Sequence, residues 1–324
     1  MVKVSIMRIH RMEFWPYMNG NEPRDVHIEA LRRLVHLERD LSGIDTTGFE
    51  VSEYSIPDRI REDVEDVWEA GRAENPRLTN NPKPVIKIIS PDGRLCTTWA
   101  ATYKTSYWLK TRLSEQPPED QELYAHLFPF FNIGTVTLTS DGYIALEQRP
   151  EGVTAPGMLL TYPCGYVETH HTTLAETMND EAEGELGFPL LDAAGEPLLH
   201  TQALYTLGFQ RESDEWNPNY VFVLGLTHPS THLRPTRETR KISYLPDDPA
   251  KLAEAIPDLY SPSIKGEVRG KLVPNATAML ALYIREREGE RAFGNLMDRL
   301  SHEAKKEGYQ LEVRNYTPAT NPFQ

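Results

Sequence analysis

Between residues 150 and 210 the chain carries nine carboxylates and neither lysine nor arginine. Five of the nine, Glu176, Asp180, Glu181, Glu183 and Glu185, crowd one short stretch with helical spacing. Like charges three and four apart on a helix repel, by roughly a few tenths of a kcal/mol per pair. Acids in the last turn also oppose the helix dipole, which prefers cations there. A helix loaded in this way is disfavoured by its own charges, and a bound divalent cation reverses that cost. Leu174, Met178, Ala182 and Leu186 stand four apart and form its buried stripe. Glu181 and Glu185 are also four apart, beside that stripe, so two carboxylates can converge on one ion. Magnesium takes oxygen ligands, keeps several waters and needs few protein carboxylates. On phosphate oxygens it polarises a P–O bond and lowers the pKa of a water. The competing reading of the same residues is a solvated acidic face.

Cations and hydroxyls for a diphosphate are densest at Lys104, Thr105, Ser106, Tyr107, Lys110 and Arg112. Lys104 and Thr105 would hold phosphate, and Tyr107 would stack on a base. The alternative for this cluster is an exposed strand end. Arg149, at the end of a strand facing the acidic segment, is a second phosphate ligand. Cys164 has no histidine in a fixed arrangement beside it and reads as a small packed residue rather than a nucleophile.

The elements that must position these residues follow from periodicity and turn chemistry. Val2 to His10 alternates as a strand, and Asp25 to Leu41 has helical spacing. A second helix is expected over 57–72, with Pro57 in its first turn. Two hairpins follow. One joins Lys83–Ser90 to Leu95–Tyr103 through Pro91-Asp92-Gly93. The other joins Ile133–Thr139 to Tyr143–Gln148 through Ser140-Asp141-Gly142. Met158 to Tyr162 is a short apolar strand. The acidic helix is expected from Thr173 to Leu186, stopped by Gly187 and Pro189. Strands are expected at 202–209, 220–226 and 241–244, and a short helix at 250–255. A long helix covers 276–306, with a break at Gly289 or Gly294. Strands and helices mix without a βαβ rhythm, which predicts an α+β fold.

The run from Ala155 through Gly165-Tyr166-Val167-Glu168, followed by a loop and the helix ending Glu185-Leu186-Gly187-Phe188, resembles the Nudix box region. The hairpin before it, and Glu147-Gln148-Arg149 leading into the loop, look like the same fold. Gly165 stands at the first glycine of the family pattern. Glu181, Ala182, Glu185, Gly187 and Phe188 also match. Three positions depart: His171 stands where the family has a glutamate, Asp180 where it has an arginine, and Gly184 where it has one of two paired glutamates.

A narrower resemblance covers residues 57 to 285. Val67 to Pro76, Pro84 to Ile88 and Thr102 to Tyr107 look like the N-terminal part of the Nudix subgroup that contains UDP-glucose/UDP-galactose diphosphatase. An element of that subgroup before its last helix matches either Ser261-Pro262-Ser263 or Val273-Pro274-Asn275. The resemblance implies an α/β/α sandwich with a mixed sheet behind an N-terminal α/β subdomain. It implies Mg²⁺, with Mn²⁺ as the alternative, held by Glu181 and Glu185 together with Gly165 and Glu168. It implies a general base from the loop that holds Glu212, Asp214 and Glu215, with Glu212 as the catalytic assignment. Trp216 in that loop would stack on a base.

The chain has 324 residues, room for one large or two medium domains. We divide it as 1–128 (N-terminal subdomain), 129–290 (Nudix-like domain) and 291–324 (helical extension and strand). The 34 Lys and Arg against 48 Asp and Glu give a net charge of −14, a poor match for nucleic acid. Two cysteines make no disulfide framework, and no apolar run reaches membrane-helix length. The expectation is a cytoplasmic enzyme acting on a small nucleotide. It would hydrolyse a nucleoside diphosphate linked to another group, foremost a UDP-sugar-like molecule, to a nucleoside monophosphate and a sugar phosphate. ADP-ribose, a dinucleotide or coenzyme A are the other substrates of this class. The competing function is a non-catalytic domain that binds a nucleotide metabolite as a sensor or partner module, motivated by the three departures from the box.

Overall fold

The computed structural model describes residues 8–16, 58–76, 78–89, 95–117, 120, 132–151, 155–168, 171, 174–192, 196–212, 219–236, 239, 241–264 and 268–315. The helix expected at 25–41, the turn at 91–93, and Asp214, Glu215 and Trp216 lie outside them.

In chain order the strands and helices are β1 (Arg8–Pro16), α1 (Asp58–Glu74), β2 (Pro82–Ile89), β3 (Leu95–Thr102), α2 (Tyr103–Arg112), β4 (Asn132–Leu138), β5 (Tyr143–Gln148), β6 (Leu159–Thr161), β7 (Cys164–Tyr166), α3 (Leu174–Glu185), β8 (Thr201–Glu212), β9 (Asn219–Leu226), β10 (Lys241–Pro246), α4 (Pro249–Leu259), α5 (Pro274–Lys306) and β11 (Tyr309–Asn315). Among the described residues nine strands form one sheet, in the order β10-β5-β4-β9-β8-β1-β11, with β6 on β5 and β7 on β4. The pairs β4–β9 and β1–β11 are parallel and the others antiparallel, so the sheet is mixed, which agrees with the expected α+β fold. β2 and β3 form a separate hairpin. No described helix is long and apolar enough to cross a membrane.

Side chains alternate across each strand, and the sheet is buried on both faces. Met12, Phe14, Val136, Ile144, Leu146 and Val221 face α4 and α5. Ile133, Ala145, Tyr220, Phe222 and Leu224 face α3, which contributes Met178, Ala182 and Leu186, three residues of the stripe expected for it. Gly187 ends α3: at φ +86° its N–H reaches back to the carbonyl of Ala182, a stop that glycine makes without strain. Gly289 breaks α5 at φ +79°, at one of the two positions read from sequence. Val273-Pro274-Asn275 opens α5, with Pro274 in the first turn, while Ser261-Pro262-Ser263 follows the end of α4.

Two placements differ from the sequence expectation. The Lys104–Arg112 cluster is helical rather than a strand end, because the Asn80 side chain caps the Lys104 N–H at 2.9 Å and Trp108 packs onto α1 with its Nε1 on Asp63 at 2.6 Å. β1 and β11 belong to the main sheet, adjacent and parallel, joined by backbone hydrogen bonds. The division at 128 and 290 places both in flanking parts of the chain.

Candidate active site

The acidic helix meets the sheet at β5 and β7. β7 runs along β4 and carries Gly165 close against α3: a Cβ there would overlap the carboxylate of Glu181 as it now stands. One residue earlier, the Cys164 N–H donates to Glu185 Oε2 at 2.9 Å. The pair singled out by i, i+4 spacing is therefore bracketed by two consecutive residues of one strand.

β5 contributes a third acid. Ala145 faces α3, so two residues on Glu147 faces it too, and it is 4% exposed. Thr239 Oγ1 stands 3.2 Å from Glu147 Oε2 and 3.2 Å from the Glu185 carbonyl, which ties Glu147 to the end of the helix. Arg149 Nη1 is 3.9 Å from Glu147 Oε1. Burial pushes the Glu185 carboxyl well above the ordinary range, and Glu147 and Glu181 push it further. The Cys164 N–H and Arg149 act against them. The Tyr162 ring is buried on the same side, and its hydroxyl has no hydrogen-bond partner among the described residues. Burial, Tyr244, Glu147 and Glu185 all hold that hydroxyl protonated. Burial and the same carboxylates also raise the Cys164 thiol, which removes it as a nucleophile.

Glu185 and Glu147 are turned to protein donors, the Cys164 N–H and the Thr239 hydroxyl. Among the described residues no three His, Cys, Asp or Glu side chains stand in metal-ligand geometry. Binding an ion would require rotation of the long glutamate side chains. The donor set still fits a hard divalent cation: oxygens only, crowded and dehydrated, with a buried hydroxyl beside them.

The departures at 171 and 180 meet each other. His171 Nε2 is 2.7 Å from Asp180 Oδ2, while His171 Nδ1 faces Thr177 Oγ1 at 2.9 Å and the Glu168 N–H at 3.2 Å. The family pattern has an acid then a base at these positions; here a base precedes an acid, and the contact joins the loop to the helix. Glu168 lies in that loop, its carbonyl accepting from the His171 N–H.

The remaining sequence candidates fall elsewhere. Lys104 pairs with Glu65 of α1, Thr105 is buried, and Tyr107 packs edge-on to Trp68, 5.9 Å between centroids, and over Gly71. It is Tyr103 and Lys110 of the same helix that reach the box, at 5.9 Å and 5.4 Å from the Tyr166 ring. Glu212 ends β8, 2% exposed and 3.7 Å from His10 Nε2. Its register partner is Met12, which places it on the α4–α5 face of the sheet, opposite the carboxylates of α3. Glu147 and Tyr162 were not picked out from sequence. The available signal was an acid at an inward position of a strand.

No protein-family model matches the chain, and no curated protein matches it. Parts of solved structures are similar. A bifunctional NMN adenylyltransferase/ADP ribose pyrophosphatase from Francisella tularensis, complexed with AMP and a Mn ion, is 10% identical with a TM-score of 0.34 over 55% of this chain and 45% of that one. The match thus spans less than half of the Francisella protein. The Nudix hydrolase RenU from M. smegmatis is 16% identical, TM-score 0.30, over 49% and 84% of the two chains. A NUDIX hydrolase from Nitrosomonas europaea is 13% identical, TM-score 0.28, over 48% and 88%.

Proposed function

We propose that this protein is a divalent-metal-dependent hydrolase of the Nudix type, acting on a nucleoside diphosphate linked to a second group. One observation carries the reading: β7 brackets the two box glutamates, with Gly165 against Glu181 and the Cys164 N–H on Glu185. Glu181 and Glu185 would hold Mg²⁺ or Mn²⁺. When bound, such an ion lowers the pKa of a water and offsets the charge that builds on phosphate oxygens. The chain does the rest. The Arg149 guanidinium, at the rim of the same face, holds and orients the diphosphate through paired N–H donors. The crowded carboxylates exclude other anions until a cation neutralises them. Water attacks phosphorus, one P–O bond of the diphosphate breaks, and the products are a nucleoside monophosphate and a phosphorylated remainder. The N-terminal resemblance supports a UDP-sugar as the substrate, with Mg²⁺ as the ion.

A second reading, a nucleotide-binding module without turnover, drew on the three departures from the box. The 2.7 Å contact between His171 and Asp180 supports the hydrolase reading over this one at two of the three positions, Gly184 being the third.

The test is phosphatase-coupled phosphate release from UDP-glucose, UDP-galactose, GDP-mannose, ADP-ribose, NAD, FAD and coenzyme A, with Mg²⁺, Mn²⁺ or EDTA. EDTA-sensitive turnover of one class is expected. Stabilisation by a nucleotide without any turnover would replace the hydrolase by the binding module.

A further inference from the structure

The helix lacks one box acid at Gly184, and the sheet holds an acid that no packing argument requires. Glu147 lies on β5 between Leu146 and Gln148, at a position where alternation calls for an apolar residue against α3. A buried carboxylate in such a place is unfavourable unless it is paired or coordinated. Glu147 pairs with Arg149 at 3.9 Å and accepts from Thr239, and the further acids Glu185 and Glu181 share these surroundings, so acid outnumbers base there. We infer that Glu147 replaces the carboxylate missing at position 184 and completes, from the sheet side, the oxygen set that binds the divalent cation. The inference rests on the metal site proposed above.

Three observations lead there. Glu147 is joined through Thr239 to the Glu185 carbonyl, one residue beyond Gly184, so it reaches the end of the helix where the acid is absent. It is 4% exposed, so it faces the helix and not solvent. Independently, the Tyr162 hydroxyl is fully buried without a hydrogen-bond partner among the described residues, beside Glu147 and Glu185. Leu160 pairs with Glu147 across β6 and β5, and Tyr162, two residues beyond Leu160, falls on the same side of the sheet. A buried hydroxyl left over next to crowded carboxylates is a partner for an oxygen that the protein does not supply, such as a water carried by the ion. An all-oxygen set of this charge selects Mg²⁺ or Mn²⁺ over softer metals.

The experiment is Mn²⁺ titration of the full chain, read by the EPR signal of free Mn²⁺, with no substrate present. Wild type is compared with Glu181→Gln, Glu147→Gln and the double variant Glu147→Gln/Gly184→Glu. Glu147→Gln is expected to weaken Mn²⁺ binding by about tenfold or more, since even a residue one shell out commonly has that effect. Restoring an acid at 184 in the double variant should recover most of the loss. The assignment of Glu147 is overturned if Glu147→Gln binds within twofold of wild type while Glu181→Gln does not bind. It is equally overturned if Glu147→Gln melts below wild type in EDTA, which would give Glu147 a structural role. A wild-type protein that takes up no Mn²⁺ overturns the metal site itself.

Discussion

The carboxylate of Glu181 occupies the volume in which a side chain on Gly165 would stand. The atoms displaced by a larger residue are the flexible end of Glu181 and not backbone, so the fold should adapt while the site does not. Gly165→Ala is expected to keep its melting temperature within about 2 °C of wild type. Turnover should fall by roughly a hundredfold, the effect of a displaced reacting group. Equal turnover in the two proteins, measured by phosphate release, would mean that the position of Glu181 is immaterial.

Glu181→Gln and Glu185→Gln should each lower metal-dependent turnover by about a hundredfold or more. They should differ in stability. Glu185 is buried among acids that disfavour its ionised form, and an amide keeps an oxygen for the Cys164 N–H. In EDTA at neutral pH, Glu185→Gln should therefore melt above wild type, by more than Glu181→Gln does. Calorimetry showing the reverse order would contradict the crowding at Glu185.

His171 and Asp180 form a contact whose polarity is the reverse of the family's. If the contact and not the charge order matters, Asp180→Arg alone should lower turnover, and His171→Glu/Asp180→Arg should restore it. Asp180 is mostly exposed, so the coupling is expected to stay within about 1 kcal/mol. A double variant no better than the single one would remove the contact from the working site.

His200 Nδ1 and His228 Nε2 are 2.8 Å apart behind Phe188, the residue that closes the box. Burial, then His200 and His232, lower the pKa of His228 below its ordinary 6.5. The unfolded chain takes up a proton there before the folded one does. The contribution of His228 is therefore complete above about pH 6.5 and is lost as the pH falls through that value toward the folded pKa. Melting curves should drop more steeply with acidification for wild type than for His228→Asn. Parallel curves would show that the pair does not titrate with folding.

Much of the site was legible because its signals are local. The i, i+4 pair on α3, the β4–β5 hairpin, the stop at Gly187 and the break at Gly289 are each set by residues within a turn or two of one another. What was hidden depends on partners far along the chain. Tyr103–Arg112 is rich in residues that favour strands, and it is helical because Asn80 and α1 hold it so. Glu147 reads as one charge in a strand until α3 is packed over it. Glu212 was placed by its loop, whereas its face of the sheet is set by the register with Met12. The parallel pairing of β1 with β11 leaves no pattern in either segment.

That pairing also sets an order of events during synthesis. β1 is translated before both of its neighbours, β8 and β11: Glu212 lies 200 residues after its partner Met12, and Tyr309 follows Arg8 by 301. At about 5–20 residues per second the strand bearing Met12 and Phe14 waits roughly 15 to 60 s for its last neighbour. Its apolar side chains are exposed to other nascent chains for that time. The sheet can close only after β11 has left the ribosome, which makes production of this protein sensitive to the supply of chaperones that shield such a strand.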